Sequence, residues 1–508
     1  MGSRCNPEKA PAGSRSIGVS RPPLPLQDLP TPEEVFRTKR IGPKELITLV
    51  LGPSLIALGA SLGSGEWLLG PLAAGKYGFI GIGWVITISA ILQLFYNVEL
   101  GRFTIATGET PVVAFGRTPP GFRFWVPFAV FCIYMAFIWG GWAASAGASL
   151  FALCAGRPNT PEELEIVRIL GIALLFGVFL IVSLGKRIER TLEIVNGVLV
   201  SFVLITLVLV TLAVVPLDFW TGAFASLVLP AAPPRGTDPS LLGALAGFTA
   251  FASGLNFVLI NYYRDKGYGM GYHTGYIASL IGGKQEQVLP SGVTFPENER
   301  NAVRWKRWFR FLVIDQWVVF FIGAILGMMI PSILIGYLST LPGASPPETA
   351  TIPTYAATQL GPRYGSVFFY WALLVGFFAL FSTQMVMVEI LVRNFTDAAH
   401  GVSARFREWT REDPRRFYYP FMLLLIVVIG LLIHVALPAE LIVISANLSN
   451  FAAMFFPLVM IYLNRQLPRP ARITWWSYLV LALNVVFFGF FFLNFLLVQL
   501  TGTPLVRF

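Results

Sequence analysis

Charged residues are scarce in this sequence. Asp, Glu, Lys and Arg make up 13% of the 508 residues, about half the share found in an ordinary soluble domain. Cysteine and histidine occur three times each, and their spacing suits neither a disulfide framework nor a zinc or His-rich site. The sequence also lacks a nucleophile paired with a base and a phosphate-binding loop, so we expect neither an enzyme nor a bound cofactor. The residues concerned are Cys5, Cys132, Cys154, His273, His400 and His434.

Apolar residues, in contrast, are abundant. They make up 55% of the chain, and the mean hydropathy is +0.68. A helix needs about 20 mostly apolar residues to cross the hydrocarbon core of a bilayer. Runs of this kind predict an all-α protein embedded in the lipid bilayer, with eleven spans. They lie near Glu45–Phe79 (interrupted), Ile80–Gly101, Phe124–Cys154, Ile166–Leu184, Leu192–Pro216, Leu241–Tyr263, Phe309–Leu338, Tyr364–Val392, Phe417–Leu437, Glu440–Leu463 and Trp475–Leu500.

The basic residues support this number of spans and predict an orientation. A net charge of +10 would by itself suit nucleic-acid binding. With the N-terminus in the cytoplasm, however, 31 of the 37 Lys and Arg residues fall on the inner side, as positive-inside topology requires. We therefore predict a protein of the plasma or inner membrane, with a cytoplasmic N-terminus, an outer C-terminus and no nucleic-acid partner. The outer basic residues are Lys76, Arg157, Arg168, Arg235, Arg363 and Arg507.

Two of the spans contain small and polar residues at their middle. The first carries the string ASLGSGE at residues 60–66, and the sixth carries FASGLN at residues 251–256. The first and sixth spans occupy equivalent places if spans one to five and six to ten are two repeats. Glycine-interrupted helices at matching places indicate a substrate site at the membrane midplane. Close helix packing is the alternative explanation for Gly59 and Gly63, which are four residues apart.

The first hundred or so residues contain four recognisable motifs: GPSLIALG (52–59), GSGEW (63–67), AAGKYG (73–78) and LGRFTIATG (100–108). Together they resemble the Nramp family of divalent-metal transporters. The resemblance implies two inverted five-helix repeats, the fold also of amino-acid/sodium symporters, over residues of about 44–216 and 240–464. An extra helix near residues 473–500 follows, and a Pro- and Arg-rich cytoplasmic tail at residues 1–43 precedes the transmembrane domain.

The chain departs from the family pattern where the metal binds. Nramp proteins hold Mn²⁺ or Fe²⁺ with Asp and Asn of an Asp-Pro-Gly-Asn break and with Met of a Met-Pro-His break. Here the Asp and Asn positions fall on Gly63 and Glu66. The Met, Pro and His positions fall on Ser253, Gly254 and Leu255. The resemblance therefore implies that the chain shares the architecture of the family. Its substrate preference is expected to differ from that of the family.

Glu66 is the first candidate for contact with the substrate. A carboxylate near the bilayer centre costs about 2.5–3.5 kcal/mol on insertion scales, so it normally faces a cavity or a partner. Beside carbonyls freed at Gly63 and Gly65, it would form the hard-oxygen environment that Mg²⁺, Ca²⁺ or Mn²⁺ prefers. The alternative is a structural carboxylate that caps the second half of a broken helix.

Other polar residues of the spans are candidates to line the same site. Ser253, Gly254 and Asn256 would do so from the sixth span, although small residues also serve helix packing. Asn447 in the tenth span and Gln384 in the eighth are further candidates. Their side chains could equally hold helices together through hydrogen bonds.

Three charged residues are candidates for a proton path or a gate. Glu99 and Arg102 lie three residues apart on one helix face, a spacing that favours an ion pair. Glu389 and Arg393 in the eighth span have a similar spacing. Asp315, in the seventh span, would relay protons or pair with a basic neighbour.

Three functions remain open on this reading. The first is import of a divalent cation harder than the Nramp norm, with Mg²⁺ as a serious candidate. The second is symport of an organic solute such as an amino acid or amine, because a single carboxylate among glycines also suits those substrates. The third is a membrane receptor or scaffold that keeps the fold without transporting.

Overall fold

The computed structural model describes residues 26, 29–32, 35–36, 53–184, 188–275, 291–347 and 352–506. Within these ranges the chain is helical and contains no strand, which confirms the predicted all-α class. Helices are the expected solution, because a helix satisfies every backbone donor and acceptor inside the bilayer without external partners.

The described residues form eleven spans, as predicted. Nine helices are long and apolar enough to cross a membrane, and α1 and α6 are each assembled from shorter pieces. The spans are α1 (residues 53–77), α2 (Gly83–Thr107), α3a and α3b (Phe122–Phe137 and Gly141–Ala155), α4 (Leu164–Ser183), α5 (Ile188–Val214), α6a and α6b (Pro239–Phe248 and Phe257–Asp265), α7 (Glu299–Ser339), α8 (Ser366–Val402), α9 (Arg415–Leu432), α10 (Pro438–Asn464) and α11 (Trp475–Thr501).

The predicted break in α1 is wrong. Instead of unwinding at Gly63–Gly65, the chain forms a π-helical segment, Leu62–Leu69, between two α-helical pieces. A π turn widens the helix by one residue and keeps most of its backbone bonding, so it tolerates glycine and serine without a gap. All eight residues of the segment are buried. A second π-helical segment, Asp315–Phe321, lies within α7.

The predicted break in α6 is confirmed. Helix α6a ends at Phe248 and α6b begins at Phe257, with Ser253 and Gly254 in the irregular stretch between them. Gly254 has φ +70 and Ala250 has φ +68, so the chain there follows a left-handed path that no continuous helix allows. The α6a half therefore ends in the core of the protein.

The structure also contains an interruption that was not predicted, in α3. The chain leaves helical geometry after Phe137 and resumes it at Gly141, with Gly140 at φ +69. The pair Gly140-Gly141 within a long apolar run is a sequence signal for such a break. Two short helices, Leu217–Val228 and Ile352–Tyr364, connect α5 to α6a and α7 to α8; they too were not predicted.

The core of the bundle is formed by α1, α2, α6, α7, α8 and α10. Helices α1 and α6 are almost entirely buried, and the other four bury most of their residues. Helices α4, α5, α9 and α11 expose large apolar side chains on their outer faces, among them Phe176, Leu209, Val427 and Val486. Such continuous apolar surfaces suit contact with lipid. The polar and charged side chains are thereby confined to the bundle interior and to its two ends.

Part of the N-terminal tail packs against the segment that leads into α7. Most of the predicted tail, and residues 45–52 of the predicted first span, lie outside the described residues. Phe36 is fully buried, with ring centroids 4.7 Å from Phe295 and 6.0 Å from Trp305. Arg304 donates a hydrogen bond to the Val35 carbonyl at 2.7 Å. These tail residues therefore belong to the packed structure.

Candidate functional site

The π-helical segment of α1 places Glu66 in the centre of the bundle. Its side chain is 0% exposed. Neither carboxylate oxygen has a hydrogen-bond partner of normal geometry, although the Ser61 hydroxyl lies near enough to interact. A Cβ built on Gly327 of α7 would lie 3.2 Å from Glu66 Cγ, so the two helices are in direct contact here. π segments of this kind are frequent at functional sites.

The glycines around Glu66 allow α1 to touch its neighbours through backbone atoms. A Cβ on Gly63 would lie 2.5 Å from the Ala379 carbonyl oxygen of α8. A Cβ on Gly65 would lie 1.9 Å from the Phe248 carbonyl oxygen, at the end of α6a. Only glycine fits at this second position, because a backbone oxygen cannot move aside as a flexible side chain can. The breakpoint of α6 thus lies against the segment that carries Glu66.

Hydroxyl groups of α8 bind the freed backbone of α1. The Gly63 amide donates to Thr383 Oγ1 at 2.9 Å. Thr383 Oγ1 and Ser382 Oγ each donate to the Gly59 carbonyl at 3.1 Å. The Asn196 side chain of α5 lies against Gly59 and has no partner at either polar atom. This polar strip connects α1, α5 and α8 one turn before Glu66.

Met328 of α7 brings a thioether close to the segment that carries Glu66, and the sequence did not predict it. Its side chain packs against Gly65 and Gly70, one on each side of Glu66 in the chain. Its Cε lies 3.0 Å from a Cβ built on Gly65, and its Sδ lies 2.2 Å from one built on Gly70. The sequence gives no distinct signal for it, because a methionine in an apolar span is typical of core packing.

Two tryptophans near this region present unpaired donors. The indole N–H groups of Trp67 and Trp142 are buried without hydrogen-bond partners. The Trp142 ring lies 6.0 Å from the Phe248 ring. Gln384 of α8 accepts a hydrogen bond from the Ala143 amide at 3.0 Å, while its own amide nitrogen has no partner. The candidate residue Gln384 therefore binds the first turn of α3b.

The candidate residues of α6 face other helices. Ser253 donates to Asn450 Oδ1 at 2.5 Å, and a Cβ on Gly254 would collide with the backbone of Ala453 at 2.1 Å, both on α10. Asn256 donates to Gln93 on α2 at 3.2 Å. These contacts hold the break in place between α2 and α10.

The remaining α10 candidate makes helix-to-helix contacts. Asn447 donates to the carbonyls of Ser240 in α6a and Val443 in α10, both at 2.9 Å. Its side-chain oxygen is buried without a partner. The observed bonds attach α10 to the first turn of α6a.

Glu99 and Arg102 form the expected ion pair at 3.0 Å, buried at the end of α2. The pair is part of a larger cluster: Asn464 and Ser477 donate to Glu99 at 2.8 and 2.6 Å, and Arg102 donates to the Ala471 carbonyl at 3.3 Å. This cluster connects α2 to α10, to α11 and to the loop between them.

Glu389 and Arg393 also form the expected pair, in α8. Arg393 pairs in addition with Asp265 at the end of α6b, and the Tyr262 hydroxyl donates to Glu389. Asp265 also pairs with Arg264 at 2.7 Å. The α6b members of this charge network were not predicted, because nothing in the sequence shows that α6b packs on α8.

The described residues limit how a metal ion could be bound beside Glu66. The described residues contain no group of three or more His, Cys, Asp or Glu side chains that could hold a metal ion. A cation beside Glu66 would therefore be bound by one carboxylate together with hydroxyl or carbonyl oxygens, the Met328 thioether, or water.

The arrangement of spans defines a polytopic membrane protein with two inverted five-helix repeats and an eleventh helix. The Eremococcus coleocola manganese transporter, solved with an aromatic bis-isothiourea substituted compound, has this fold. Its structure aligns with 95% of this chain and 93% of that chain, at 14% identity and a TM-score of 0.57. A mutant of the same transporter aligns with 94% and 92%, at 15% identity and a TM-score of 0.56. No protein-family model and no curated protein matches the sequence. At this identity the likeness shows the fold.

Proposed function

We propose that the protein is a secondary transporter that carries a divalent metal cation by alternating access, with Glu66 as the charged ligand. The observation that supports this most directly is the state of Glu66: it is fully buried and has no hydrogen-bond partner of normal geometry for either oxygen. Among the described residues, no Lys or Arg forms an ion pair with it. Burial of an unpaired carboxylate costs several kcal/mol, and a bound cation would offset that cost.

The surroundings of Glu66 favour a harder ion such as Mg²⁺ or Mn²⁺. The Met position of the Nramp pattern is occupied by Ser253, whose hydroxyl is engaged with Asn450. One carboxylate supplies little charge for a fully dehydrated divalent ion, so the ion would keep part of its water shell. Mg²⁺ dehydrates reluctantly and is usually bound in that way. Met328 is a nearby group that would favour a softer ion.

A small organic solute is the second candidate. The unpaired indole N–H groups of Trp67 and Trp142 could donate to a solute carboxylate while Glu66 binds its amine. The short distance between Gly327 and Glu66 favours the ion instead, because it leaves little room for an organic group. The third candidate, a receptor or scaffold, predicts no transport at all.

Uptake into proteoliposomes tests the proposal. Mg²⁺, Mn²⁺, Cd²⁺ and a panel of amino acids are compared for the wild type, Glu66→Gln and the exposed control Glu440→Gln. We expect uptake of Mg²⁺ or Mn²⁺ that falls at least about tenfold in Glu66→Gln, since a charged ligand contributes roughly 1.5–3 kcal/mol. The control should retain wild-type uptake.

Each other outcome contradicts a different part of the proposal. Metal uptake unchanged in Glu66→Gln would remove this residue from the site. Strong Cd²⁺ uptake that is lost in Met328→Leu would show a soft site centred on the thioether. Uptake of an amino acid alone would favour the solute symporter, and no uptake of any substrate would favour the receptor.

A further inference from the structure

A second group of buried polar side chains lies where α1, α2, α6b and α7 meet. At its centre is Asp315, the first residue of the π-helical segment in α7, which is 0% exposed. Its Oδ2 atom accepts hydrogen bonds from Ser54 at 2.6 Å, from Gln316 at 3.3 Å and from the Tyr263 hydroxyl. Three donors directed at one carboxylate oxygen fit the ionised form, which only accepts.

Among the described residues, Asp315 forms no direct ion pair, and Lys266 is the basic residue that acts on it from further away. Its second oxygen, Oδ1, is buried without a hydrogen bond. No Lys or Arg in the described part of the chain forms a salt bridge with it, and the nearby Lys266 is paired with Glu193 at 2.9 Å. A buried charge in this state is costly unless a counter-ion is bound.

A small cavity lies next to two of the donors that bind this carboxylate. Its volume is about 10 Å³, roughly the space for one water molecule or one small ion. Ser54 and Tyr263, two of the donors to Asp315, line it. Three amide side chains that line it, Asn97, Asn256 and Gln316, each have a buried oxygen without a hydrogen-bond partner. Unpartnered acceptors around one small space are unusual in a folded protein and point to a bound hydrogen-bond donor, such as water, or to a bound cation.

We propose that this cluster binds one monovalent cation of the size of Na⁺ in the cavity. The amide oxygens of Asn97, Asn256 and Gln316 would be its ligands, and the neighbouring Asp315 carboxylate would balance its charge. Carboxylate and amide oxygens are hard ligands that prefer hard cations. One negative charge balances one positive charge, whereas a divalent ion would leave the site with a net buried charge. A proton on Asp315, the role expected from the sequence, would satisfy one carboxylate but would leave the three amide oxygens unpartnered.

The site is separate from the proposed substrate site. Asp315 lies twelve residues before Gly327, the α7 residue that touches Glu66, which corresponds to about 18 Å along a helix. The inference therefore does not depend on the identity of the substrate, and its test needs no transport.

The melting temperature of the purified full chain in detergent provides the test, measured in NaCl and in choline chloride at equal ionic strength. We expect Na⁺ to raise the wild-type melting temperature by about 2 °C or more, because a ligand bound only by the folded state stabilises it. Asp315→Asn should abolish the Na⁺ response. Asn97→Leu removes an oxygen that has no partner in the fold, so it should leave folding intact and raise the Na⁺ concentration for half-maximal response about tenfold or more.

Two controls separate this site from others. Asp218→Asn, an exposed Asp-to-Asn change, and Glu66→Gln should both keep the full Na⁺ response. The inference is overturned if the wild type shows no Na⁺ response, or if the response survives in both Asp315→Asn and Asn97→Leu. It is also overturned if Mg²⁺ rather than Na⁺ gives a shift that Asp315→Asn removes. Loss of the Na⁺ response in Glu66→Gln would place the ion at the other site.

Discussion

Gly65 shows how a single missing side chain positions the proposed substrate site. Its α-carbon approaches the end of α6a so closely that a Cβ would lie 1.9 Å from the Phe248 carbonyl oxygen. The Phe248 oxygen belongs to the backbone, and Met328 fills the space on another side. Neither α1 nor α6a can move away without displacing Glu66.

We therefore predict that Gly65→Ala abolishes uptake and lowers the melting temperature of the protein. The matched control is Gly177→Ala in α4, where a new Cβ meets no atom within 4 Å. This control should be neutral or stabilising by up to about 1 kcal/mol, because alanine is a better helix former than glycine. Uptake assays and thermal unfolding of the two variants measure the contrast. Wild-type uptake in Gly65→Ala would contradict the close approach of α1 and α6a.

At the level of single residues, the sequence identifies a candidate site residue when its side chain is unusual for its surroundings. Glu66 is recognisable because a carboxylate amid apolar residues requires an explanation. Met328 and Trp142 are not recognisable in this way, because apolar spans of membrane proteins contain such residues for packing alone. Met328 packs against Gly65 and Trp142 against Phe248. Both positions follow from tertiary packing, which no local pattern contains.

Among the helices, the contact between α1 and α8 includes one hydroxyl group that both accepts and donates a hydrogen bond. Thr383 accepts a hydrogen bond from the Gly63 amide and donates one to the Gly59 carbonyl. Valine has the same shape but can do neither. We predict that Thr383→Val destabilises the protein by about 1–3 kcal/mol, the cost of leaving the buried Gly63 N–H without an acceptor, and reduces uptake. The Gly59 carbonyl keeps its hydrogen bond from Ser382.

Thr396→Val is the matched control for that prediction. Thr396 is also buried in α8, but its hydroxyl donates only to the Val392 carbonyl of its own helix. Its replacement should have little effect on stability or uptake. Chemical unfolding of both variants in the same detergent provides the comparison. Equal losses for the two variants would show that the α1–α8 contact has no special role.

The interruptions of the helices were only partly predictable from sequence. The α6 break was predicted correctly from FASGLN, and the α3 break carried an unused signal in Gly140-Gly141. The α1 break was predicted wrongly. Glycine and serine permit both an unwound chain and a π turn, and the choice depends on neighbouring groups such as Thr383 that lie far away in the sequence.

For the whole molecule, the number and order of spans followed from hydropathy alone. The bilayer requires each crossing to be a continuous apolar helix or a pair of half-helices, so composition determines the architecture more directly than in a soluble protein. The fold of the repeats could be inferred only from the short resemblance in the first hundred residues. Neither source could show which substrate the central site accepts, because that depends on a few side chains and their exact spacing.

Orientation in the membrane remains a prediction from charge. With eleven spans and most basic residues on one side, we expect the N-terminus in the cytoplasm and the C-terminus outside. A reporter fused after Phe508 that is active only outside the cytoplasm would agree with this. A fusion after residue 463, at the end of α10, serves as the internal control and should report the cytoplasm. Cytoplasmic activity of the Phe508 fusion would reverse the topology.

The length of α8 has a mechanical consequence. Its 37 residues extend over about 55 Å, nearly twice the thickness of the hydrocarbon core. Near the middle of α8, Thr383 binds α1. About 15 Å further along the same helix, Arg393 binds α6b. A tilt of about 10° about Thr383 would therefore move Arg393 by about 2.6 Å, enough to separate an ion pair. Such a tilt would turn a small displacement near Glu66 into a larger one at the end of the bundle.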